Sequence, residues 1–324
     1  MQSGLISVII VNWNSGHQLA LCLESLAQQT HRPLEIIVVD NASSDGSLAP
    51  ALAAGRVQVI RNDNNAGFCR AFNQGYVVSQ GEFIVSLNPD VYLLPDFLAR
   101  LAERLGDKPA AGLACGKLWR GDSPWAGCTL DSTGLFLSRS RRPYDRGQGQ
   151  VDRGQFDRAE EVFGACGAAW MARRTMLEDV RCLDEVLDED FFAYYDDADL
   201  AWRARSRGWQ CWYEPRAAGW HGRGGGDTLR KPSRAPKMAF AQRHAVKNRY
   251  LMMLKNDTLA GLLPALPRIL AEDALRLGYM ALRRPALLGA YLDVIRLLPR
   301  MLEKRREIRG RRRVPDRSIY RWFR

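Results

Sequence analysis

The sequence predicts an α/β fold, a Rossmann-like, mostly parallel sheet flanked by helices and followed by a helical C-terminal extension. Two observations carry this prediction. Over the first 105 of 324 residues, apolar β-branched runs alternate with segments of helical spacing, joined by connections of a few residues. That pattern implies βαβ units and a parallel, doubly wound sheet. The charge is also divided: residues 1–227 hold 23 Lys+Arg against 29 Asp+Glu, whereas residues 228–324 hold 24 against 7. A mildly acidic body therefore carries a strongly basic tail.

The elements follow in chain order. Residues 5–11 are continuously apolar and β-branched, as expected of a strand buried on both faces. Beyond Ser15-Gly16, the residues Leu19, Cys22, Leu23 and Leu26 recur at helical spacing. Residues 35–39 form a second strand ending at Asp40, before the turn-rich NASSDG. Residues 57–60 are a third strand, 67–79 a helix, and 82–87 a fourth strand that ends in Asn88-Pro89-Asp90. Residues 95–105 open with Pro95, a residue suited to a helix start.

Residues 119–158 are rich in Gly, Arg, Asp and Ser with little periodicity, and are expected to form a long mobile loop or insertion over the site. Residues 162–171 return to apolar character, 197–207 read as a helix capped by an acidic cluster, and 210–213 as a strand. Residues 222–226 are expected to be a Gly-rich hinge, and 238–255, 259–282 and 285–309 to be helices. This divides the chain into a body of residues 1–227 and a basic amphipathic helical extension of residues 228–324.

Composition bounds the class. The length suffices for a sizeable core, and 46% hydrophobic with 26% charged residues is the balance of a globular protein. Seven scattered Cys with no CxxC pair point to reduced, buried thiols rather than disulfides or zinc. The N-terminus lacks a basic region before a long apolar stretch, so no secretory signal is expected. The longest uncharged run of the tail, residues 258–267, falls well short of the ~20 residues that span a bilayer. A cytoplasmic location is expected.

The chemistry lies in carboxylates at strand and helix ends. In open α/β sheets ligands bind outside the carboxyl ends of the strands, where Asp40 and Asp90 both fall. Asp40 can accept hydrogen bonds from a pyrimidine ring or a ribose, or can cap a turn. Pro89 fixes its own φ and pushes Asn88 into an extended conformation, so Asp90 is aimed. A hard oxygen ligand there suits Mg²⁺ or Mn²⁺ shared with substrate phosphates, and an Asx-turn is the competing reading. Asp196, Asp197 and Asp199 follow the aromatic FFAYY. Their mutual repulsion raises at least one pKa toward usefulness as a base, although a helix N-terminus would also favour acids there. His221, one of four His, can serve as a metal or diphosphate ligand or be structural.

Taken in order, SVIIVNWN, VVDNASSDGS, NNAGFCRAFNQG, SLNPDV, FFAYYDDADLAWRARSRGW and WHGRGG resemble glycosyltransferase family 2. The N-P-D form is similar to its rhamnosyltransferase-like bacterial members. The resemblance covers roughly residues 4–255. It implies a GT-A fold, a nucleotide-diphospho-sugar donor (dTDP-rhamnose first, then UDP-sugars), a divalent cation, Mg²⁺ or Mn²⁺, and inversion at the anomeric carbon. By motif it implies that Asp40 contacts base or ribose and that Val11 lines the nucleoside pocket. Asn12, Asn41, Asn65, Gly67 and Asn88 are the further donor-binding positions. The same resemblance makes Asp90 the metal-binding acid, His221 a ligand near metal and diphosphate, and Asp197 the catalytic base. Asp196 replaces the usual Glu beside that base and is expected to contact substrate. Asn88 stands where the family has a first Asp, so the diphosphate must complete the coordination of the cation.

The tail carries Arg305, Arg306, Arg309, Arg311, Arg312 and Arg313 close to Trp322 and Phe323. Such a segment is expected to hold the anionic inner face of a bacterial membrane peripherally, which suits a glycan or lipid-linked acceptor in cell-surface polysaccharide synthesis. A solvated charged face is the alternative. No nucleic-acid module accompanies the Arg run, so no nucleic-acid partner is expected. The whole reads as an enzyme. A non-catalytic nucleotide-sugar-binding scaffold, recruited to the membrane by its tail, is the other reading, and the intact acid set argues against it.

Overall fold

The computed structural model describes residues 1–121, 127–223 and 235–324. Its centre is β1 (Gln2–Asn12), the run of β-branched residues read as a doubly buried strand. Ile6, Val8 and Ile10 enter the core on one face of the sheet, while Ile9 and Val11 enter the core on the other. This is the period-2 alternation of a strand with no solvent side.

The chain continues through α1 (Gln18–Ala27), β2 (Leu34–Asp40), α2 (Ala49–Ala53), β3 (Val57–Arg61), α3 (Phe68–Val78), β4 (Gly81–Leu87), β5 (Val91–Leu93) and α4 (Phe97–Asp107). Then come β6 (Ala111–Arg120), β7 (Leu130–Ser132), β8 (Leu135–Leu137), β9 (Pro143–Asp145), β10 (Glu160–Val162), β11 (Ala169–Arg173), α5 (Arg174–Val180), α6 (Asp196–Ser206) and β12 (Gln210–His221). The C-terminal helices are α7 (Ala235–Asn256), α8 (Leu259–Leu262), α9 (Leu266–Arg283), α10 (Gly289–Gly310) and α11 (Asp316–Tyr320).

A ten-stranded sheet runs β10-β12-β6-β11-β4-β1-β2-β3, with β5 on β12 and β7 on β6. β1 pairs in parallel with β2 on one side and β4 on the other. The chain thus leaves β1 through β2 and β3, then returns to its opposite edge as β4. That reversal opens a crevice at the carboxyl ends of β1 and β4. The expected doubly wound parallel sheet holds for β3-β2-β1-β4. Beyond it, β11 is antiparallel to both β4 and β6.

Two expectations need correction. Residues 127–158 are packed rather than loose: β7 joins β6, β8 pairs with β9, and Asp131, Arg141 and Arg146 are all buried. Their order comes from buried polar bonds, such as Arg146 Nε to the Thr133 carbonyl at 3.0 Å and Arg141 Nε to Asp257 at 2.8 Å. Polar pairing of this kind leaves no apolar period to read. Of the expected hinge, residues 224–226 lie outside the described residues, as does the proposed boundary at residue 227.

The second correction concerns the basic extension, whose helices share the main core instead of standing apart. Leu251, Met252, Met301, Ile319 and Phe323 join one hydrophobic cluster with residues of β1, α3 and α6. Several tail cations are internal counter-ions. Lys304 Nζ meets Glu185, Asp188 and Asp190 at 2.8, 2.5 and 2.8 Å, and Lys255 reaches Asp199 at 2.9 Å and also pairs with Asp188. Arg311 donates to the carbonyls of Asp179 and Arg181. Trp322 lies beneath the Arg205 guanidinium at 4.3 Å. Among the described residues no helix is long and apolar enough to cross a membrane. All seven cysteines are free thiols.

Removing one member of a buried ion cluster strands the others without compensation, at a cost of about 3–5 kcal/mol. Lys304→Met is therefore expected to lower unfolding stability by that amount in chemical denaturation. Body and C-terminal helices should unfold in a single transition. A near-neutral variant, or two separate transitions, would contradict this packing.

Candidate active site

The crevice between β1 and β4 holds a cavity of about 650 Å³, a size suited to a nucleotide-sized ligand. The end of β1 supplies Val11, Trp13, Asn14 and Ser15 to its wall, and the turn after β4 supplies Asn88, Pro89 and Asp90. Asn41, Asn65 and Phe68 line a further side, and Phe192, Ala193, Tyr194 and Phe240 close it. Of the residues singled out in the sequence, Val11, Asn41, Asn65, Asn88 and Asp90 thus meet in one cavity.

Asp40 and Asn12 do not line it. Asp40 is 2% exposed and accepts from Asn12 Nδ2 at 2.7 Å and from the Ser43 amide at 3.1 Å. The Asn12 amide also reaches Ser47 at 3.0 Å. In this structure the pair ties the ends of β1 and β2 together. Gly67 likewise acts through its backbone. It has φ +88°, and a Cβ there would fall 2.7 Å from the Phe192 ring, so only glycine permits this close approach.

Strand register brings Asp90 to His221. β5 pairs with β12 so that Val91 faces His221, and the Gly222 amide donates to the Asp90 carbonyl at 2.8 Å. His221 Nε2 lies 3.5 Å from Asp90 Oδ1, while Nδ1 is 2.7 Å from Asp131 Oδ2. Asp131 is fully buried and also takes Arg223, which reaches on to Asp145 at 3.0 Å. Burial opposes a charged imidazole, yet the carboxylates of Asp131 and Asp90 hold His221 up at about 9. Asp131, Arg223 and Asp145 escaped the sequence analysis. Asp131 sits in a short strand with no motif around it, whereas Arg223 stood in plain view inside WHGRGG.

Asp90 and His221 form a converging two-donor set, with a carboxylate fixing the far nitrogen of the imidazole. A cation would have to displace the Nε2 proton that the two carboxylates favour. With that proton gone, the arrangement orients a histidine ligand and suits a divalent cation shared with phosphate oxygens. Among the described residues no cluster of three or more His, Cys, Asp and Glu provides a ready cage.

Asp197, like His221, is not among the residues that line the cavity. Its Oδ2 accepts from the Gly167 amide at 2.9 Å and Oδ1 from the Ala198 amide at 2.7 Å. The neighbouring Ala168 carbonyl accepts from the Asn88 amide at 2.8 Å, so one short peptide stretch separates Asp197 from the end of β4. Burial, then the negative charge of Asp145, raises the Asp197 carboxyl to about 6. Burial and the charge of Asp197 push the adjacent, buried Asp196 up as well. Asp199 belongs elsewhere: it is fully buried against Lys255, Arg203 and Asn256.

The loop before Asp197 is strained. Phe192, Tyr194 and Tyr195 adopt φ of 68°, 72° and 68°, each costing about 1–3 kcal/mol. Helix α7 holds it: the Asn248 amide donates to the carbonyls of Phe191, Ala193 and Tyr194 at 3.0, 2.8 and 2.8 Å. The ring of His244 stacks on Phe192 at 5.2 Å.

Comparison with known proteins follows the same lines. Residues 7–181 match the model of the family described as glycosyl transferase family 2. Over 112 residues the chain is 33% identical to Glycosyltransferase GlyG of Streptococcus pneumoniae serotype 4, covering 33% of this chain and 37% of that protein. Over 123 residues it is 32% identical to a PGL/p-HBAD biosynthesis glycosyltransferase of Mycobacterium bovis, covering 36% and 47%. The matches thus span under half of the curated relatives. Among solved structures, the mannosyltransferase PcManGT from Pyrobaculum calidifontis, in complex with GDP-Man and Mn²⁺, aligns with a TM-score of 0.54 at 17% identity, over 90% of this chain and 74% of that one. TarS 1-349 of S. aureus, in complex with UDP-GlcNAc, aligns with a TM-score of 0.54 at 16% identity, over 98% and 89%. The fold is that of the GT-A glycosyltransferases.

Asn248→Ala removes the clamp on the strained loop. It is expected to cost about 1–3 kcal/mol, the scale for stranding buried hydrogen-bonding groups, and to speed amide hydrogen exchange across residues 191–195 specifically. Unchanged exchange in that stretch would show that the clamp lies elsewhere.

Proposed function

Because the chain belongs to glycosyl transferase family 2, we propose that it moves a sugar from a nucleotide-diphospho-sugar to an acceptor hydroxyl, with inversion at the anomeric carbon. The observation that supports this reading is the approach of His221 to Asp90 just after β4, with Asp197 bonded to Gly167, next to the Ala168 carbonyl that accepts from Asn88. The nucleoside occupies the cavity between the β1 end, Asn41 and Asn65. Asp90 and His221 hold a divalent cation, Mg²⁺ or Mn²⁺, which when bound offsets the negative charge of the departing diphosphate. Asp197 accepts the proton of the acceptor hydroxyl, a contribution of about 10²–10⁴ in rate. Its raised pKa suits a base working near neutrality. A single displacement needs no second carboxylate as nucleophile.

The donor is a dTDP- or UDP-sugar, with dTDP-rhamnose first on the form of the N-P-D motif. The acceptor is a hydroxyl of a lipid-linked glycan in cell-surface polysaccharide synthesis. Peripheral attachment to an anionic membrane passes through α9, which supports it better than the terminal Arg run. Leu270, Leu275, Leu277 and Leu282 of this helix are exposed, the last at 84%, beside the exposed Arg268 and Arg283. An amphipathic helix of that kind lies in the interfacial plane.

Asp197→Asn should leave folding and the binding of dTDP or UDP with Mn²⁺ intact while transfer falls about 10²–10⁴-fold. Near-normal turnover would reject Asp197 as the base. Since the base must be ionised, the wild-type rate should rise with pH through about 6 and then level off. A rate already level below pH 5 would contradict the assignment. Asp131→Asn should weaken Mn²⁺ binding, followed by calorimetry with the nucleotide present, by about 10–100-fold. Unaltered affinity would separate His221 from the cation.

A further inference from the structure

A second cavity, of about 450 Å³, lies against the first. It is lined by Phe240, Arg243, His244, Lys247, Asp293, Arg296 and Leu297, and Phe240 lines both. The wall between them is aromatic: Phe240 meets Phe192 edge-on at 5.5 Å and His244 at 4.4 Å. Three cations face this space against one carboxylate. Arg243 claims that carboxylate, with Asp293 Oδ2 at 2.8 Å, and Arg296 approaches it only at 3.9 Å.

Lys247 is the informative residue. It is 7% exposed, and its Nζ donates to the Asp190 carbonyl at 2.6 Å. Among the described residues it has no acidic side chain within ion-pair distance, unlike Lys255 and Lys304 nearby. Burial lowers the Lys247 ammonium's pKa, and the charges of Asp293 and Asp190 offset this only in part. An anionic ligand in the cavity would offset more of the cost of burying that charge. Burial and the charge of Lys247 hold His244 down at about 4. Its Nδ1 faces the Phe191 carbonyl at 3.2 Å and donates to it, which leaves Nε2 as an acceptor. The pocket therefore offers ammonium and guanidinium donors for an anion and an acceptor for a hydroxyl.

Apolar side chains stand exposed on α10, next in sequence to the cavity-lining Asp293 and Arg296. Leu292 and Ile295 of α10 are 57% and 66% exposed, and helical spacing sets Leu292 beside Arg296. We infer that this cavity binds the phosphate or diphosphate through which a lipid carrier bears the acceptor, with the carrier chain leaving across Leu292 and Ile295. The inference rests on the glycosyltransferase reading above, and it adds the chemical group by which the acceptor is held. It also accounts for the aromatic wall shared with the donor cavity, because the glycan end of such an acceptor must reach the neighbouring space to meet the sugar.

The test uses the full chain and two variants, Lys247→Gln and the solvent-exposed Arg296→Gln, titrated in EDTA with farnesyl diphosphate, inorganic pyrophosphate, and phosphatidylglycerol vesicles. Farnesyl diphosphate should bind the wild type and weaken by about tenfold or more in Lys247→Gln, and by about threefold in Arg296→Gln. Binding of dTDP or UDP with Mn²⁺ should not change in either variant. Equal farnesyl diphosphate affinity in all three proteins overturns the proposal. Pyrophosphate binding of the same strength, with the same losses, overturns the lipid carrier and leaves a free-phosphate site. Vesicle binding that shows the same losses overturns it in favour of general headgroup contact. Failure of the wild type to bind any nucleotide would count against the glycosyltransferase reading alone, since that arm does not involve Lys247.

Discussion

Four buried charges fix the geometry on which the site depends. Asp188 and Asp199 flank the strained loop that precedes Asp197, and their counter-ions Lys255 and Lys304 arrive from α7 and α10. Each such ion costs several kcal/mol to take out of water, and the cost is recovered only when partners stand at hydrogen-bond distance. A cluster of this kind therefore tolerates one arrangement of loop and helices. The clamp of Asn248 on the carbonyls of residues 191–194 adds direction to that constraint. The C-terminal helices thus fix the loop that leads into Asp197.

Around this frame the acids are sorted by their neighbours. Asp131 is held below the usual carboxylate range, because His221 and Arg223 outweigh the burial that opposes its charge. Asp197 rises instead through burial and then the repulsion of Asp145, which its bonds to backbone amides do not outweigh. One acid thereby remains a permanent anion that orients an imidazole, and another becomes able to take a proton near neutrality. Chemically identical side chains on adjoining strands and helices acquire opposite tasks through packing alone.

Much of this could be read from the sequence, for reasons that are local. β1, β2 and β4 announce themselves by β-branched runs, and the crevice at their ends follows from the βαβ alternation. The place of Asp90 is legible because Pro89 stands before it, whereas Val11, Asn41 and Asn65 are singled out by the motifs that resemble the family. The bond from Asn12 to Asp40 was not legible, because a strand-end carboxylate looks the same whatever stands across the sheet from it. Asp131, β7–β9 and Asn248 were illegible because long-range polar pairing orders them, which no apolar period records. Composition counted the basic tail correctly but could not tell that Lys255 and Lys304 point inward.

The central claim is that Asp90 and His221 jointly hold a cation-bridged nucleotide within reach of Asp197. The direct measurement is an anomalous-difference map from crystals grown with Mn²⁺ and dTDP or UDP. The account expects one Mn²⁺ peak touching both Asp90 Oδ1 and His221 Nε2, with the diphosphate bound to it and the nucleoside against Val11 and Asn41. A peak bound to neither residue, or a nucleotide seated outside this cavity, would contradict it.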